Sequence, residues 1–330
     1  MIQRQLSTNT VLAVNYVGNS GDRILYSNPW PNAFDQFGLY PGVAGVPADQ
    51  PAPNYGIVTQ WQNGAISNSN GLSVILTKRF SKMFMAHFSY TWAHNLDEVS
   101  NGGVFTYGDS VLGQINPLSL RANNYGNSDY DIRHNFSGDF IVNPTFHVAG
   151  PLKYLVNGWE LGGKIFWRNG LPFSVFDGNS ALGNGGGTIL ATPFGQGWGQ
   201  SSCGSSNAFI TGDEPACLNS AAFLDSSTID HFTQWSPQTR NQLRGPHFFD
   251  IDLSLYKNFK FKERVGFAVG VMAFNALNHP NFGLPGNDIS DPTGFGRISA
   301  MQGSPLSPYG TFLGFDSSVR VVQLTGKITF

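Results

Sequence analysis

Strict alternation of apolar and polar side chains, sustained over unusually long segments, is the feature that most limits what this chain can fold into. Near the C-terminus Val322, Leu324, Gly326, Ile328 and Phe330 alternate with Gln323, Thr325, Lys327 and Thr329. The same pattern sets Ile251, Leu253 and Leu255 against Asp250, Asp252 and Ser254, and Phe84, Ala86, Phe88, Tyr90 and Trp92 against Met85, His87, Ser89 and Thr91. It recurs in Trp159, Leu161, Gly163, Ile165 and Trp167 against Glu160, Gly162, Lys164 and Arg168, and in Phe136, Gly138, Phe140 and Val142 against Asn135, Ser137 and Asp139. A period of two sends alternate residues to opposite faces of a sheet, so each segment reads as a strand with one apolar and one polar face.

About eight strands follow, near 10–18, 68–80, 83–95, 131–143, 157–169, 247–260, 264–276 and 319–330. Most exceed the five or six residues usual in globular sheets and approach the length a tilted strand needs to cross a bilayer. The connections alternate as well. Those at Phe80–Met83 and Phe261–Arg264 are tight and that at 144–156 is modest, whereas 19–67, 96–130, 170–246 and 277–318 are long. Strands run up and down, so all the long connections emerge at one end of the sheet. Outer-membrane β-barrels have this asymmetry, with short periplasmic turns and long extracellular loops. Aromatics also gather at strand ends, Phe80, Phe84, Phe259, Phe261 and Phe330 near the short turns and Tyr90, Trp92 and Trp167 toward the long loops. A soluble sandwich or propeller with an aromatic core is the competing architecture, and it accounts poorly for long strands with one-sided loops.

Composition agrees with the barrel. Only 12% of the 330 residues are charged and 14% are aromatic, against about 25% charged in ordinary soluble domains. Mean hydropathy is nevertheless −0.15, and the most apolar window, Val265 to Leu277, is too short for a membrane-spanning helix. Forty glycines and 19 prolines break up any helical reading. A net charge of −2 lacks the electrostatic footprint of a nucleic-acid binder. The apolar run Val11–Val14 is too short for a signal-peptide core. Two cysteines, Cys203 and Cys217, lie in a loop rich in Gly, Ser and Asn outside any C-x-x-C motif, and a local disulfide in an oxidising compartment is their expected state.

Candidate chemistry is sparse. No G-x-S-x-G, H-E-x-x-H, P-loop or paired-cysteine metal motif occurs, so the chain does not read as an enzyme and no cofactor is expected. Asp129, Asp131 and His134 share a loop-to-strand junction where they can touch a cation, although the rim of a barrel is polar in any case, and Asp288-Ile289-Ser290-Asp291 in a Gly/Pro-rich loop lacks the spacing of a known calcium loop and reads as a turn. Asp250, Asp252, Glu160, Lys164, Arg168, Gln323 and Lys327 fall on polar faces and are expected to line the lumen. Trp30, Trp61, Trp198 and Trp235 lie in long loops, where they can stack on a ligand or anchor loops to one another.

Several segments resemble the C-terminal barrel of TonB-dependent outer-membrane receptors of the Oar-like kind. They are Arg240-Asn241-Gln242-Leu243-Arg244-Gly245-Pro246, Asp250-Ile251-Asp252-Leu253-Ser254-Leu255-Tyr256-Lys257-Asn258-Phe259 and Phe274-Asn275-Ala276-Leu277-Asn278-His279-Pro280-Asn281-Phe282-Gly283. Ser89-Tyr90-Thr91-Trp92-Ala93, Tyr130-Asp131-Ile132-Arg133-His134-Asn135-Phe136, Asn157-Gly158-Trp159 and Asn169-Gly170-Leu171-Pro172-Phe173 support the match. The resemblance implies an all-β, antiparallel transmembrane barrel portion in the cell outer membrane. Its partners would be outer-membrane lipid and the barrel-assembly machinery, with terminal Phe330 and Ile328 as the assembly signal. Members of that family also carry a signal peptide, a plug, a TonB-contacting segment and about 22 strands, so residues 1–330 read as the C-terminal part of such a receptor. The implied function is import of a large ligand (carbohydrate, peptide or siderophore), with the TonB complex acting through N-terminal parts not seen in this sequence; the chain alone is not expected to be competent. A surface adhesion barrel and a small outer-membrane channel are the alternatives.

Overall fold

The computed structural model describes residues 1–38, 40–100, 113–178, 189–193, 218–224, 235–261, 265–301 and 319–330. Strands β1 (Ile2–Ser7), β2 (Thr10–Asn28), β3 (Gln60–Ser81) and β4 (Phe84–Asp97) are followed by the short helix α1 (Leu120–Asn124) and the two-residue β5 (Gly126–Asn127). Next come β6 (His134–Val142), α2 (Leu152–Val156), β7 (Trp159–Arg168) and the short strands β8 (Pro172–Phe173) and β9 (Leu243–Arg244). The chain finishes with β10 (Phe248–Phe261), β11 (Val265–Phe274) and β12 (Val321–Thr329). Nine of these form one antiparallel up-and-down sheet in the order β1-β2-β3-β4-β6-β7-β10-β11-β12, with β5 paired to the end of β4, while β8 and β9 make a separate hairpin-like pair.

The all-β antiparallel class holds, with nine strands in the main sheet among the described residues where the pattern predicts about eight. The additional one, β1, turns back on β2 through Thr8-Asn9 and pairs Gln3 with Ala13 and Arg4 with Leu12. Two further strands are longer than their alternation indicates. β2 runs for 19 residues and β3 for 22, so the first long connection shrinks from 19–67 to 29–59.

Cross-strand register carries each face across the whole sheet, because residues directly opposite one another point to the same side. One row reads Val14, Val74, Tyr90, Phe136, Trp167 and Phe249 from β2 to β10. Another reads Val142, Leu161, Leu255, Val271 and Leu324 from β6 to β12. Many of these apolar side chains are exposed, among them Tyr90, Trp92, Leu161, Leu255, Phe267, Val269, Leu324 and Ile328. In water such a contiguous apolar surface would drive association; against lipid it is the required outer coat. Two glycines on this face, Gly138 and Gly163, lie beneath the rings of Phe88 and Phe140, which fill the space a side chain would take.

The main buried clusters lie in the connections. The largest joins Phe173, Val175, Leu218, Phe223, Leu243, Phe282, Phe295 and Ile298, drawn from the β7–β10 and β11–β12 connections. A second gathers Trp30, Ala33, Tyr40, Val43, Val46 and Ile189, with Trp235 packed against it. The four long connections leave the sheet at one end, where their described parts pack into a cap, while the β1–β2, β3–β4, β6–β7 and β10–β11 turns connect strands at the other.

Candidate functional site

The side of the sheet opposite the apolar coat is a polar wall. Lys164 on β7 stands opposite Asp139 on β6 and Asp252 on β10. Asp250 pairs with Phe166, Arg168 with Asn135, and Glu160 with Tyr256. On β12, Gln323 opposes Met272 and Lys327 opposes Ala268, which places both on this same face through the β10–β11 register. The seven polar residues singled out in the sequence therefore share one side. They are not equally accessible: Arg168 and Asp250 are buried near the cap, whereas Gln323 and Lys327 on the edge strand are exposed.

Neighbours hold several of these groups in place. The Arg168 guanidinium lies 5.5 Å from the centroid of the Phe248 ring and donates to the Asn169 carbonyl at 3.2 Å. The backbone N–H of Asn275 donates to Asp252 Oδ1 at 3.0 Å, and Asn143 Nδ2 donates to Glu160 Oε2 at 3.3 Å. Two adjoining hollows of about 320 Å³ each open on the wall. Asp139, Lys164 and Asp252 border both, with His87 and Asp250 in the first and Glu160 in the second. Such a surface offers a hydrophilic path or a hydrogen-bonding bed. Among the described residues no three His, Cys, Asp or Glu side chains gather as a metal site.

Above the wall, the cap is locked by a buried ionic knot that residue patterning did not reveal. Arg240, only 1% exposed, follows α1 and β5 in space rather than in sequence. Its Nη1 donates to Asp129 Oδ1 at 2.9 Å and to Ser100 Oγ at 3.1 Å. Its Nη2 pairs with the Asp97 carboxylate and donates to the Asp97 carbonyl at 3.2 Å, and Nε donates to the Asn124 carbonyl at 3.3 Å. Burial pulls the guanidinium pKa down to about 9, which leaves it cationic at neutral pH. Asn241 continues the knot, donating from Nδ2 to Asp129 Oδ1 and to the Asn127 carbonyl, while Asn127 Nδ2 donates back to the Asn241 carbonyl.

This knot explains the junction acids. Asp129 serves Arg240. Asp131 pairs with Arg244 and, at 3.3 Å, with Arg133, and accepts from the Asn95 N–H at 2.7 Å. His134 instead stacks on Tyr90 with its Nδ1 2.7 Å from the phenol oxygen. Asp288 and Asp291 organise turns: Asp288 accepts from the Gly178 and Ser290 N–H groups, and Asp291 accepts from Thr293 and Gly294. Donation from the Thr293 hydroxyl and then from those N–H groups lowers the pKa of exposed Asp291.

Loop aromatics divide by role. Trp30 and Trp235 meet edge to face at 5.3 Å, Trp30 Nε1 donates to the Gln114 carbonyl at 2.6 Å, and Trp235 also stacks with Tyr40. These two anchor loops to one another. Trp61 is an exposed residue of β3. Trp198, Cys203 and Cys217 lie outside the described residues. Ile328 is exposed on the apolar face opposite Phe267, and Phe330 is fully exposed beyond the end of β12.

An antiparallel sheet of bilayer-crossing strands, apolar on one face and polar on the other, with its long loops gathered at one end, defines a segment of transmembrane β-barrel. The family model described as outer membrane beta barrel domain matches residues 1–323, and the chain belongs to that family of the cell outer membrane. Among solved structures, the crystal structure of the outer membrane transporter YddB from Escherichia coli is similar at a TM-score of 0.41 and 9% identity. That match covers 86% of this chain and 29% of the transporter, so this chain spans less than a third of the transporter's length. No curated protein matches.

Proposed function

We propose that the chain supplies wall and cap to an energy-coupled outer-membrane transporter of the TonB-dependent kind, importing a ligand too large for a porin. The observation that carries this reading is the polar wall. It spreads Asp139, Glu160, Lys164, Asp250, Asp252, Gln323 and Lys327 over β6, β7, β10 and β12, a continuous charged face of the kind that lines the polar interior of an outer-membrane barrel. Turned to the lumen, these charges meet water, a plug or a passing ligand. In this reading the chain is not an enzyme, the TonB complex acts through other parts of the receptor, and Phe330 with Ile328 addresses the barrel-assembly machinery.

Uptake in cells producing the whole receptor tests it. The probes are a fluorescent oligosaccharide, a fluorescent peptide and a ferric siderophore, each with and without a protonophore and with and without the TonB complex. Accumulation of one probe that both treatments abolish is the expected result. Accumulation that survives both would favour the channel, and surface binding without entry would favour the adhesion barrel; either result overturns the proposal.

A further inference from the structure

We propose that the β6–β7 connection, residues 143–158, is seated in the lipid headgroup boundary at the short-turn end of the sheet and anchors the wall there. The inference rests on the outer-membrane wall reading and adds a second membrane-contacting element to it.

The connection is longer than a turn and carries α2, which leaves most of its apolar side chains exposed. Leu152 is 56% exposed, Tyr154 68% and Leu155 67%, and Phe146 in the same connection is 51% exposed. What fixes its position is Lys257. By register Lys257 lies opposite Trp159 on the apolar coat, where an isolated ammonium would be costly. It is instead buried, with Nζ donating to the Leu155 carbonyl at 2.9 Å and to the Asn157 carbonyl. Trp159 Nε1 donates to the same Leu155 carbonyl at 2.9 Å, and the ammonium sits 4.8 Å from the Trp159 ring centroid.

Two side chains that point outward from the sheet thus converge on the C-terminal carbonyls of α2, which places that end of the helix on the lipid-facing side. The carbonyls that a helix end leaves without intrahelical partners are satisfied by a cation, the favoured charge at that terminus. Asn157 ties the other arm of the connection, accepting from the Phe146 N–H at 2.6 Å and donating to the Phe146 carbonyl at 3.0 Å.

The occupant follows from continuity. Trp159 begins the same strand whose Leu161 belongs to the coat row Leu161, Leu255, Val271 and Leu324, so α2 adjoins the coat at its rim. Trp and Tyr with a neighbouring Lys are the side chains that favour headgroup depth; Trp159 starts β7, and α2 adds Tyr154 and Lys153, with the Lys153 ammonium 4.9 Å from the Tyr154 ring.

Spin-labelled residues introduced singly at Leu152, Leu155, Leu161 and Thr8 of the full chain, in outer-membrane vesicles, would test the inference by contact with oxygen against a water-soluble nickel chelate. The expected oxygen-to-nickel ratio is highest at Leu161, intermediate at Leu152 and Leu155, and lowest at Thr8 in the β1–β2 turn. Ratios at Leu152 and Leu155 equal to that at Thr8, with Leu161 still in lipid, would overturn the anchor alone and would also be the result if a soluble protein covered α2. A water-like ratio at Leu161 would overturn the anchor and the wall reading together.

Discussion

Replacing Arg240 by Met removes the cation that joins Asp97 and Asp129, two carboxylates that are 8% and 2% exposed at the side chain. Breaking a buried ion pair from one side costs about 3–5 kcal/mol, since the remaining charge stays buried without its partner. Here the lower end applies. Asp97 keeps the Ser100 hydroxyl at 2.8 Å and Asp129 keeps the Asn241 amide, so neither carboxylate is stranded, although the Asn124 and Asp97 carbonyls lose their donor. About 3 kcal/mol corresponds to a roughly 100-fold rise in the open population of the cap. Hydrogen exchange in membrane vesicles should show that rise in the amides of 123–131 and 236–245, while strand amides on β7 and β10 are unchanged. Arg240→Lys should lose less, because an ammonium keeps the charge without the planar fork. Adding Asp129→Asn to Arg240→Met should cost less than the two single changes summed, as coupled partners do. Unchanged exchange in the cap, or strict additivity of the pair, would refute the view that this knot holds the loops together.

Three further outcomes are expected. Leu253→Arg, on the apolar coat opposite Gly163 midway along β7, should destabilise the assembled protein by roughly 2–4 kcal/mol, whereas Thr325→Arg on the polar side of β12 should leave folding unchanged; urea unfolding in vesicles compares them. A cysteine replacing Tyr55 in the cap should react with an impermeant maleimide on whole cells, and one replacing Thr8 should react only after the outer membrane is opened, the reverse pattern contradicting the orientation. Cys203 and Cys217 should resist alkylation until reductant is added, and their bridge should contribute roughly 3 kcal/mol by restricting the unfolded chain, a loss that paired serine replacements would reveal in the same unfolding assay.

Why part of this was legible follows from where the period-two contrast exists. Along β4, β7, β10 and β12 one side meets lipid and the other does not, so alternation is strong and even the polar residues on the wall can be named from the sequence. On β2 and β3 the contrast fades above Tyr16 and Leu72, where the outward positions become Gly18 and Ser20, and Asn70 and Asn68. The hydrogen-bonded ladder continues beyond them as a rim outside the bilayer, but sequence periodicity cannot show it. In β1 the outward Arg4 opposite Leu12 masks the pattern in a short edge strand. Arg240 is visible only within a recognisable string and Asp129 only as a junction acid, because Asp129 and Asp97 lie more than a hundred residues from Arg240 and no local spacing connects them.

Strand parity bears on closure of the sheet. With eight alternating strands the two edges run antiparallel and can pair in the usual way; with nine, β1 and β12 run in the same direction. Bacterial single-chain barrels have even strand numbers for this reason. Among the described residues, pairing β12 directly with β1 would therefore be parallel, unlike every other pairing in the sheet. Backbone groups left unpaired along either edge would each cost several kcal/mol in lipid, far more over a strand's length than the cap knot contributes.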